Sequence, residues 1–177
     1  MFAMGCFWCA EATFEGKPGI LSVVSGYSGG DEKNPTYEEV SAGRTHHLES
    51  IEVTFDPARV TYGQLLDIFW RNVDPTQGDG QFCDHGAQYR AAIFPRNESQ
   101  RNLAEASKEK LIASKRFRRP IVTGILPFKT FWPAEGYHQD YYRKNPTDYA
   151  SYRLGCGRDR RLKELWGAEA RKHGADL

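Results

Sequence analysis

The chain is organised around residues 5–11, GCFWCAE, in which a cysteine follows a glycine and precedes two large aromatic residues. Apolar residues recur at helical spacing from Phe7 to Phe14, and Gly16 ends that run. Cys6 is therefore predicted at the N-terminus of a helix, where free N–H groups and the positive end of the helix dipole stabilise a thiolate. Such a thiolate beside an aromatic wall is a candidate nucleophile. A buried structural cysteine is the alternative.

The length of 177 residues predicts one domain, residues 1–177, with a core of its own. The net charge of +1 excludes a global attraction to nucleic acid or an anionic membrane, and no apolar run reaches the length of a membrane span. A basic stretch from Arg158 to Lys172 is interpreted as a solvated helix face, because acidic residues interrupt it. The first residues lack the features of a signal peptide. We therefore expect a cytoplasmic protein, or a periplasmic one if a leader preceded Met1.

Predicted strands and helices alternate along the chain. Strands are predicted at residues 20–25, 48–56, 89–94 and 121–126, and helices directly after Cys6 and at residues 36–40, 61–73, 97–114 and 135–144. This alternation predicts an α/β (α+β) fold, with one sheet layered with helices. From about residue 147 we expect a flexible tail that carries Cys156.

The strand at residues 48–56 is the clearest, and its register decides the position of Glu49. The alternation places Ile51 on the apolar face, and extending it backwards places Glu49 on the same face. Register errors are common near strand starts, so the pattern supports a solvated Glu49 equally well. If Glu49 points inward, burial raises its pKa and lets it hold a proton near neutral pH, as a general acid requires.

Three more polar residues lie in loops or at element edges: Tyr37, Asp84 and Tyr89. Asp84 belongs to the glycine-bearing loop 75–88, and loops of this length in compact domains are often functional. The alternatives are half-buried packing for the tyrosines and a simple turn for the Asp-His-Gly sequence.

Cys6 and Cys9 have the C-x-x-C spacing of an exchangeable disulfide at a helix N-terminus. Two features argue against a thioredoxin-like site, because no strand is predicted before the helix and the two intervening residues are bulky aromatics. A zinc site would need a second such pair, which Cys83 and Cys156 do not supply. No metal is therefore predicted.

Seven short blocks of sequence together resemble the A-type peptide methionine sulfoxide reductases. In chain order they are GCFW (5–8), PGI (18–20), GYSGG (26–30), NPTYEEV (34–40), HLE (47–49), DHGAQYR (84–90) and HQDY (138–141). The resemblance implies a single domain with a mixed sheet in two layers, usually monomeric. It also implies reduction of the S epimer of methionine sulfoxide, free or in oxidised proteins, without a metal or bound cofactor.

The resemblance implies a role for each matching residue. Cys6 attacks the sulfoxide sulfur and becomes a sulfenic acid, while Phe7 and Trp8 hold the S-methyl group. Glu49 is kept neutral and protonates the sulfoxide oxygen. Tyr37 and Tyr89 donate hydrogen bonds to that oxygen, and Asp84 belongs to the hydrogen-bond network that supports them.

The resemblance further implies that a second thiol resolves the sulfenic acid and that thioredoxin reduces the resulting disulfide. Cys156 is the favoured resolving residue, with a relay through Cys9 or Cys83. Simple packing is the alternative for those two cysteines. Cys9 stands where many members have glycine, and the chain matches poorly beyond Pro146. Only residues 1–4 precede Gly5, so we expect the strand that members usually have there to be nearly absent, either in a trimmed chain or in a sheet that is one edge shorter.

Two other functions fit parts of the pattern. A general thiol-disulfide oxidoreductase would use Cys6 and Cys9 and have little need of Glu49. A non-catalytic module would use the aromatic residues as a cup for a methyl group and would tolerate Cys6→Ser. Glu49 separates the reductase from both, because only sulfoxide reduction requires a buried proton donor.

Overall fold

The computed structural model describes residues 1–170. It contains a six-stranded sheet and a small two-stranded hairpin. The strands are β1 (Phe2–Met4), β2 (Ile20–Ser28), β3 (Leu48–Phe55), β4 (Gly80–Gln81), β5 (Asp84–His85), β6 (Ala91–Ile93), β7 (Gly124–Ile125) and β8 (Trp132–Pro133). The helices are α1 (Phe7–Phe14), α2 (Tyr37–Ser41), α3 (Tyr62–Trp70), α4 (Glu98–Ala113), α5 (Tyr141–Lys144), α6 (Pro146–Gly155) and α7 (Arg158–Trp166). Two short 3-10 turns lie at Ala87–Tyr89 and Gly167–Glu169.

The main sheet has the strand order β7-β6-β1-β3-β2-β8. Its neighbours are antiparallel except β6 and β7, which run parallel, so the sheet is mixed. The predicted α+β class with a mixed sheet is confirmed. Within residues 1–170, no helix combines the length and the apolar character needed to cross a membrane.

The sheet contains a strand before Gly5, against the expectation that this strand is nearly absent. β1 has only three residues, yet it lies between β3 and β6, with Phe2 opposite both Ile51 and Ile93. Phe2, Ala3 and Met4 are all buried, so β1 shows no alternation that a sequence pattern could reveal. The objection that no strand precedes the first helix is therefore wrong.

β2 continues three residues beyond its predicted end. Tyr27 pairs with Glu49 on β3 and with Trp132 on β8. A Cβ on Gly26 would lie 2.4 Å from the Trp132 carbonyl oxygen. Gly26 therefore allows the backbone of β8 to approach β2 closely, and it does not end β2.

The helix predicted at residues 135–144 is shorter in the structure, where only Tyr141–Lys144 is helical. The residues before Tyr141 lie along the edge of β2 and bind its backbone. The Ala134 N–H donates to the Ser25 carbonyl oxygen at 2.9 Å. Gln139 accepts from the Ser25 N–H at 2.9 Å and donates to the Ser25 carbonyl oxygen at 2.8 Å. Only α5 remains helical. The strands predicted at 89–94 and 121–126 likewise shrink to β6 and β7, and Tyr89 lies in the first 3-10 turn.

The segment expected as a tail from about residue 147 forms α6 and α7, which pack on the domain. Trp166 is 2% exposed, and Arg158 is 1% exposed. Arg158 Nη2 donates to the carbonyl oxygens of Met4 and Asn72, at 2.9 and 3.0 Å. The interpretation of this stretch as a solvated face is therefore wrong at Arg158, because its side chain bridges the end of β1 and the loop after α3. Lys172 lies outside the described residues.

Candidate active site

Cys6 occupies the N-cap position of α1, directly after β1. Its backbone is non-helical, with φ −53° and ψ 122°, and its carbonyl oxygen accepts the first helical hydrogen bond, from Ala10 N at 3.2 Å. Gly5 makes the turn from strand to helix with φ +79°, and a Cβ there would lie 2.6 Å from Gln81 Cβ. The predicted placement of Cys6 at a helix N-terminus is confirmed.

Cys6 and Cys9 are both free, buried and hydrogen-bonded to each other. Burial raises the pKa of the Cys6 thiol well above its usual range, and the contacts with Cys9 and with the charge of Glu49 raise it further. The pKa of Cys9 is lowered, first by the hydrogen bond from Cys6 and then by the nearby charges of Arg158 and Arg153. These pKa directions favour a protonated Cys6 beside an ionised Cys9, so the thiolate expected at Cys6 stays a prediction.

Glu49 points inward from β3, as the strand alternation suggests. The residue is 3% exposed, and its Oε2 accepts the Phe7 N–H at 2.9 Å, at the start of α1. Burial raises the pKa of Glu49 to about 8, against the lowering effect of that hydrogen bond. A buried carboxyl beside Cys6 thus holds a proton at neutral pH.

An aromatic wall follows Cys6 on α1. Phe7 is buried and lies 6.4 Å from the ring of Tyr37, nearly parallel to it. Trp8 is half-buried and stacks on Tyr141 at 3.8 Å, with an angle of 8° between the rings. Phe7 therefore packs in the main core, and Trp8 packs against the buried cluster that contains Cys6.

His138 supports this wall and was missed as a site residue. Trp8 Nε1 donates to His138 Nδ1 at 3.0 Å, so Nδ1 is an acceptor and the imidazole carries its proton on Nε2. Burial lowers the pKa of His138, which keeps it neutral. Its Nε2 is buried without a hydrogen-bond partner among residues 1–170. The sequence signal for His138 is its place in the HQDY block, residues 138–141.

Tyr37, Tyr89 and Asp84 come together around Glu49. Burial raises the pKa of Tyr37 to about 12, and the charge of Glu49 contributes to that rise. Burial and the same charge raise the pKa of Tyr89. Asp84 lies close enough to raise the pKa of Glu49. The phenols of both tyrosines therefore remain protonated and able to donate.

Tyr152 on α6 is a second residue that sequence reasoning missed. Its hydroxyl donates to Asp84 Oδ2 at 2.5 Å, and it also hydrogen-bonds Cys6. Burial raises the pKa of Asp84, and the hydrogen bond from Tyr152 opposes that rise. Tyr152 lies one helical turn before Cys156, and that spacing was the available signal.

The other two cysteines form a disulfide. Cys83 and Cys156 are joined with their Cα atoms 4.9 Å apart, although 73 positions separate them in sequence. Cys83 is exposed, and its N–H donates to Cys156 Sγ at 3.2 Å. Asp84 completes a cluster with both sulfurs, but the disulfide leaves neither sulfur as a thiolate ligand for a metal.

Comparison with known proteins agrees with this geometry. The sequence profile of the family described as peptide methionine sulfoxide reductase matches residues 1–170. The peptide methionine sulfoxide reductase MsrA of Bacillus subtilis is 52% identical over 168 residues, which cover 95% of each chain. Two solved structures are also similar.

The first is methionine sulfoxide reductase A of Corynebacterium diphtheriae, with TM-score 0.72, 38% identity, and coverage of 82% of this chain and 73% of that one. The second is Mxr1 of Saccharomyces cerevisiae in reduced form, with TM-score 0.74, 33% identity, and coverage of 82% and 84%. Because both the profile and the Bacillus relative span nearly the whole chain, this protein belongs to the peptide methionine sulfoxide reductase family.

Proposed function

We propose that this protein reduces methionine-S-sulfoxide, free or in oxidised proteins, to methionine and so repairs oxidative damage. The observation that carries the proposal is the buried carboxyl of Glu49, which accepts the Phe7 N–H next to Cys6 and whose pKa burial raises to about 8. A sulfoxide is a polar S=O group next to a small methyl group. It therefore needs proton donors on one side and an apolar wall on the other.

The first step uses the residues around Cys6. The S-methyl group packs against Phe7 and Trp8, while Glu49 donates to the sulfoxide oxygen. Tyr37, Tyr89 and Asp84 complete that polar side, the two phenols as further donors. The Cys6 sulfur attacks the sulfoxide sulfur, and its proton passes to the adjacent Cys9 thiolate. The Glu49 proton goes to the oxygen, which ends on Cys6 as a sulfenic acid while methionine leaves.

Recycling then proceeds through the cysteines in two stages. Cys9 condenses with the Cys6 sulfenic acid, which gives a Cys6–Cys9 disulfide and water. Cys156 attacks Cys9 and releases Cys6, and Cys83 then attacks Cys156 and releases Cys9. The contact between Cys6 and Cys9 supports the first stage, and the Cys83–Cys156 disulfide with both other thiols free matches the end of the second. The second stage requires the start of α7 and the end of α6 to move.

Thioredoxin is the proposed electron donor, because Cys83 is exposed and a protein dithiol can reach the Cys83–Cys156 disulfide there. Reduced thioredoxin is abundant in the cytoplasm, where we place the protein. The proposed chemistry requires no second copy of the chain, and a monomer is part of the proposal. No proposed step uses a metal or a bound cofactor.

A single-turnover experiment tests this function. Protein isolated with the Cys83–Cys156 disulfide closed is mixed with each epimer of a methionine sulfoxide peptide, without reductant. We expect one methionine per chain from the S epimer alone, with the loss of two thiols. Exchange of a protein disulfide without methionine formation would favour the general oxidoreductase. Unchanged peptide binding by Cys6→Ser without any turnover by the parent would favour the binding module.

A further inference from the structure

A polar cavity of about 850 Å³ opens beside the Cys83–Cys156 disulfide. Cys156 and Gly157 lie in its wall, at the junction between α6 and α7. Phe82 and Phe117 contribute aromatic surfaces. The volume falls in the range of pockets that hold small molecules, about 300–1,000 Å³.

Guanidinium groups dominate the charge of this cavity. Five arginines line it: Arg116, Arg118, Arg119, Arg160 and Arg161. Three carboxylates also line it, and each has a cationic or imidazole partner. Asp74 and Glu164 bind Arg161 at 2.8 and 3.2 Å, and Asp79 lies 3.0 Å from the imidazole of His85.

Three of the five arginines have no ion-pair partner among residues 1–170. Arg116 forms an ion pair with Glu169, and Arg161 is paired as described above. Within residues 1–170 no ion pair involves Arg118, Arg119 or Arg160, and all three are exposed. With five guanidinium groups and three carboxylates, the cavity wall has a formal excess of two positive charges.

The backbone adds to the same field. Gly157 is the N-cap of α7 and lies outside the helix with φ +68°, and no side chain caps this helix end. Gly157, Arg160 and Arg161 line the cavity, so the N-terminal end of this nine-residue helix, the positive end of its dipole, lies in the cavity wall. Arginine forks bind carboxylates through two parallel hydrogen bonds, so the arrangement fits a carboxylate-bearing ligand.

We propose that this cavity binds a small anionic thiol, a low-molecular-weight thiol that carries carboxylates, and that this thiol reduces the Cys83–Cys156 disulfide. This inference rests on the proposed function, in which an external reductant reduces the Cys83–Cys156 disulfide. The ligand's thiolate attacks Cys156 Sγ in the cavity wall, which breaks the disulfide and releases Cys83 as a thiolate. A second thiolate attacks the mixed disulfide, releasing Cys156 and the disulfide of the small thiol. Two electrons pass from the two thiols to the protein.

The test compares thiols that differ in charge. Full-length protein with the disulfide closed reacts with mercaptosuccinate, 2-mercaptoethanol or cysteamine, and the new protein thiols are counted by mass after alkylation. Each rate is divided by the rate of the same thiol with a neutral small-molecule disulfide, which removes differences in intrinsic reactivity. We expect the normalised rate of mercaptosuccinate to exceed that of 2-mercaptoethanol by about tenfold at low salt, and to lose that advantage at high salt.

Two triple variants identify the surface. Replacement of Arg118, Arg119 and Arg160 by glutamate should abolish the preference for mercaptosuccinate. Replacement of Lys33, Arg44 and Arg59, which are exposed and lie outside the cavity wall, should retain it although the net charge changes equally. Thermal unfolding verifies that both variants are folded.

Equal normalised rates for all three thiols, or an equal effect of both variants, would overturn the proposal. A cavity variant that impairs only thioredoxin would also overturn it and would assign the surface to the protein donor. Methionine formation with dithiothreitol is measured in parallel, so a failure of the proposed reductase function is seen separately.

Discussion

Glu49 is the residue whose replacement tests the acid step most directly. Gln at position 49 retains an acceptor for the Phe7 N–H but has no proton to give the sulfoxide oxygen. We expect Glu49→Gln to slow single-turnover methionine formation by about 10²–10⁴-fold. Because the pKa of Glu49 is raised to about 8, the parent rate should fall as the pH rises through that value, and the variant should lack this fall.

Glu52 provides the matched control on the same strand. It lies on β3 but is half-exposed and paired with Arg96 at 2.9 Å. Glu52→Gln should keep the parent rate and the parent pH profile. A descending limb near pH 8 that persists in Glu49→Gln would assign the titration to another group.

Cys9 is the residue that decides the recycling order. Cys9→Ser removes the thiol in contact with Cys6, so the sulfenic acid cannot condense within α1. Starting with the Cys83–Cys156 disulfide closed, the variant should still form one methionine, more slowly, and then accumulate the sulfenic acid. Dimedone trapping and mass spectrometry measure that species. The parent should give no adduct, and a parent adduct as large as the variant's would refute resolution by Cys9.

At the scale of elements, α7 anchors the segment that follows Cys156. Trp166 is 2% exposed, packs edge-on against Phe117 at 5.1 Å and lies under the guanidinium of Arg71 at 4.8 Å. Trp166→Ala should lower the free energy of unfolding by about 3–5 kcal/mol, as large-to-small core substitutions do. Urea titration measures the change. Leu154→Ala on α6 is the control, because that side chain is 83% exposed and its loss should change the free energy by less than about 0.5 kcal/mol.

The same scale shows which elements a sequence pattern can predict. β3 is predicted almost to the residue, because polar and apolar residues alternate from Ser50 to Phe55. β1 was missed because three residues buried on both faces carry no periodicity. The helix expected at residues 135–144 was too long because Gln139 binds the backbone of β2, a tertiary contact that local propensity does not contain.

Across the whole molecule, the site could be predicted where a short motif fixes the geometry. Cys6, Phe7 and Trp8 follow one another on α1, so their proximity is a property of the local sequence. The Cys83–Cys156 pairing could not be predicted in the same way, because the positions of both cysteines depend on how α6 packs over the hairpin. The contact of Tyr152 with the site could not be predicted for the same reason, since its partner Asp84 lies 68 positions away in sequence.

The two buried carboxyls, Glu49 and Glu11, also couple the stability of the whole fold to pH. Glu11 is 1% exposed and accepts hydrogen bonds from Ser25 Oγ at 3.2 Å and from the Asp140 N–H at 3.1 Å. Burial raises its pKa to about 7, and that of Glu49 to about 8, from an ordinary value of 4.5. In both cases the folded state keeps a proton that the unfolded chain has released.

This contribution to stability is complete below about pH 4.5 and is lost as the pH rises through the two folded pKa values. Relative to a Glu11→Gln, Glu49→Gln double variant, the parent's free energy of unfolding should therefore fall between pH 5 and pH 8. Its slope should be steeper below pH 7, where both carboxyls contribute, at about 1.4 kcal/mol per pH unit for each group. Urea titrations of both proteins, with the Cys83–Cys156 disulfide kept closed, measure this difference. The comparison cancels the titrating groups that do not interact with either carboxyl, so parallel curves would show that neither carboxyl holds its proton in the folded state.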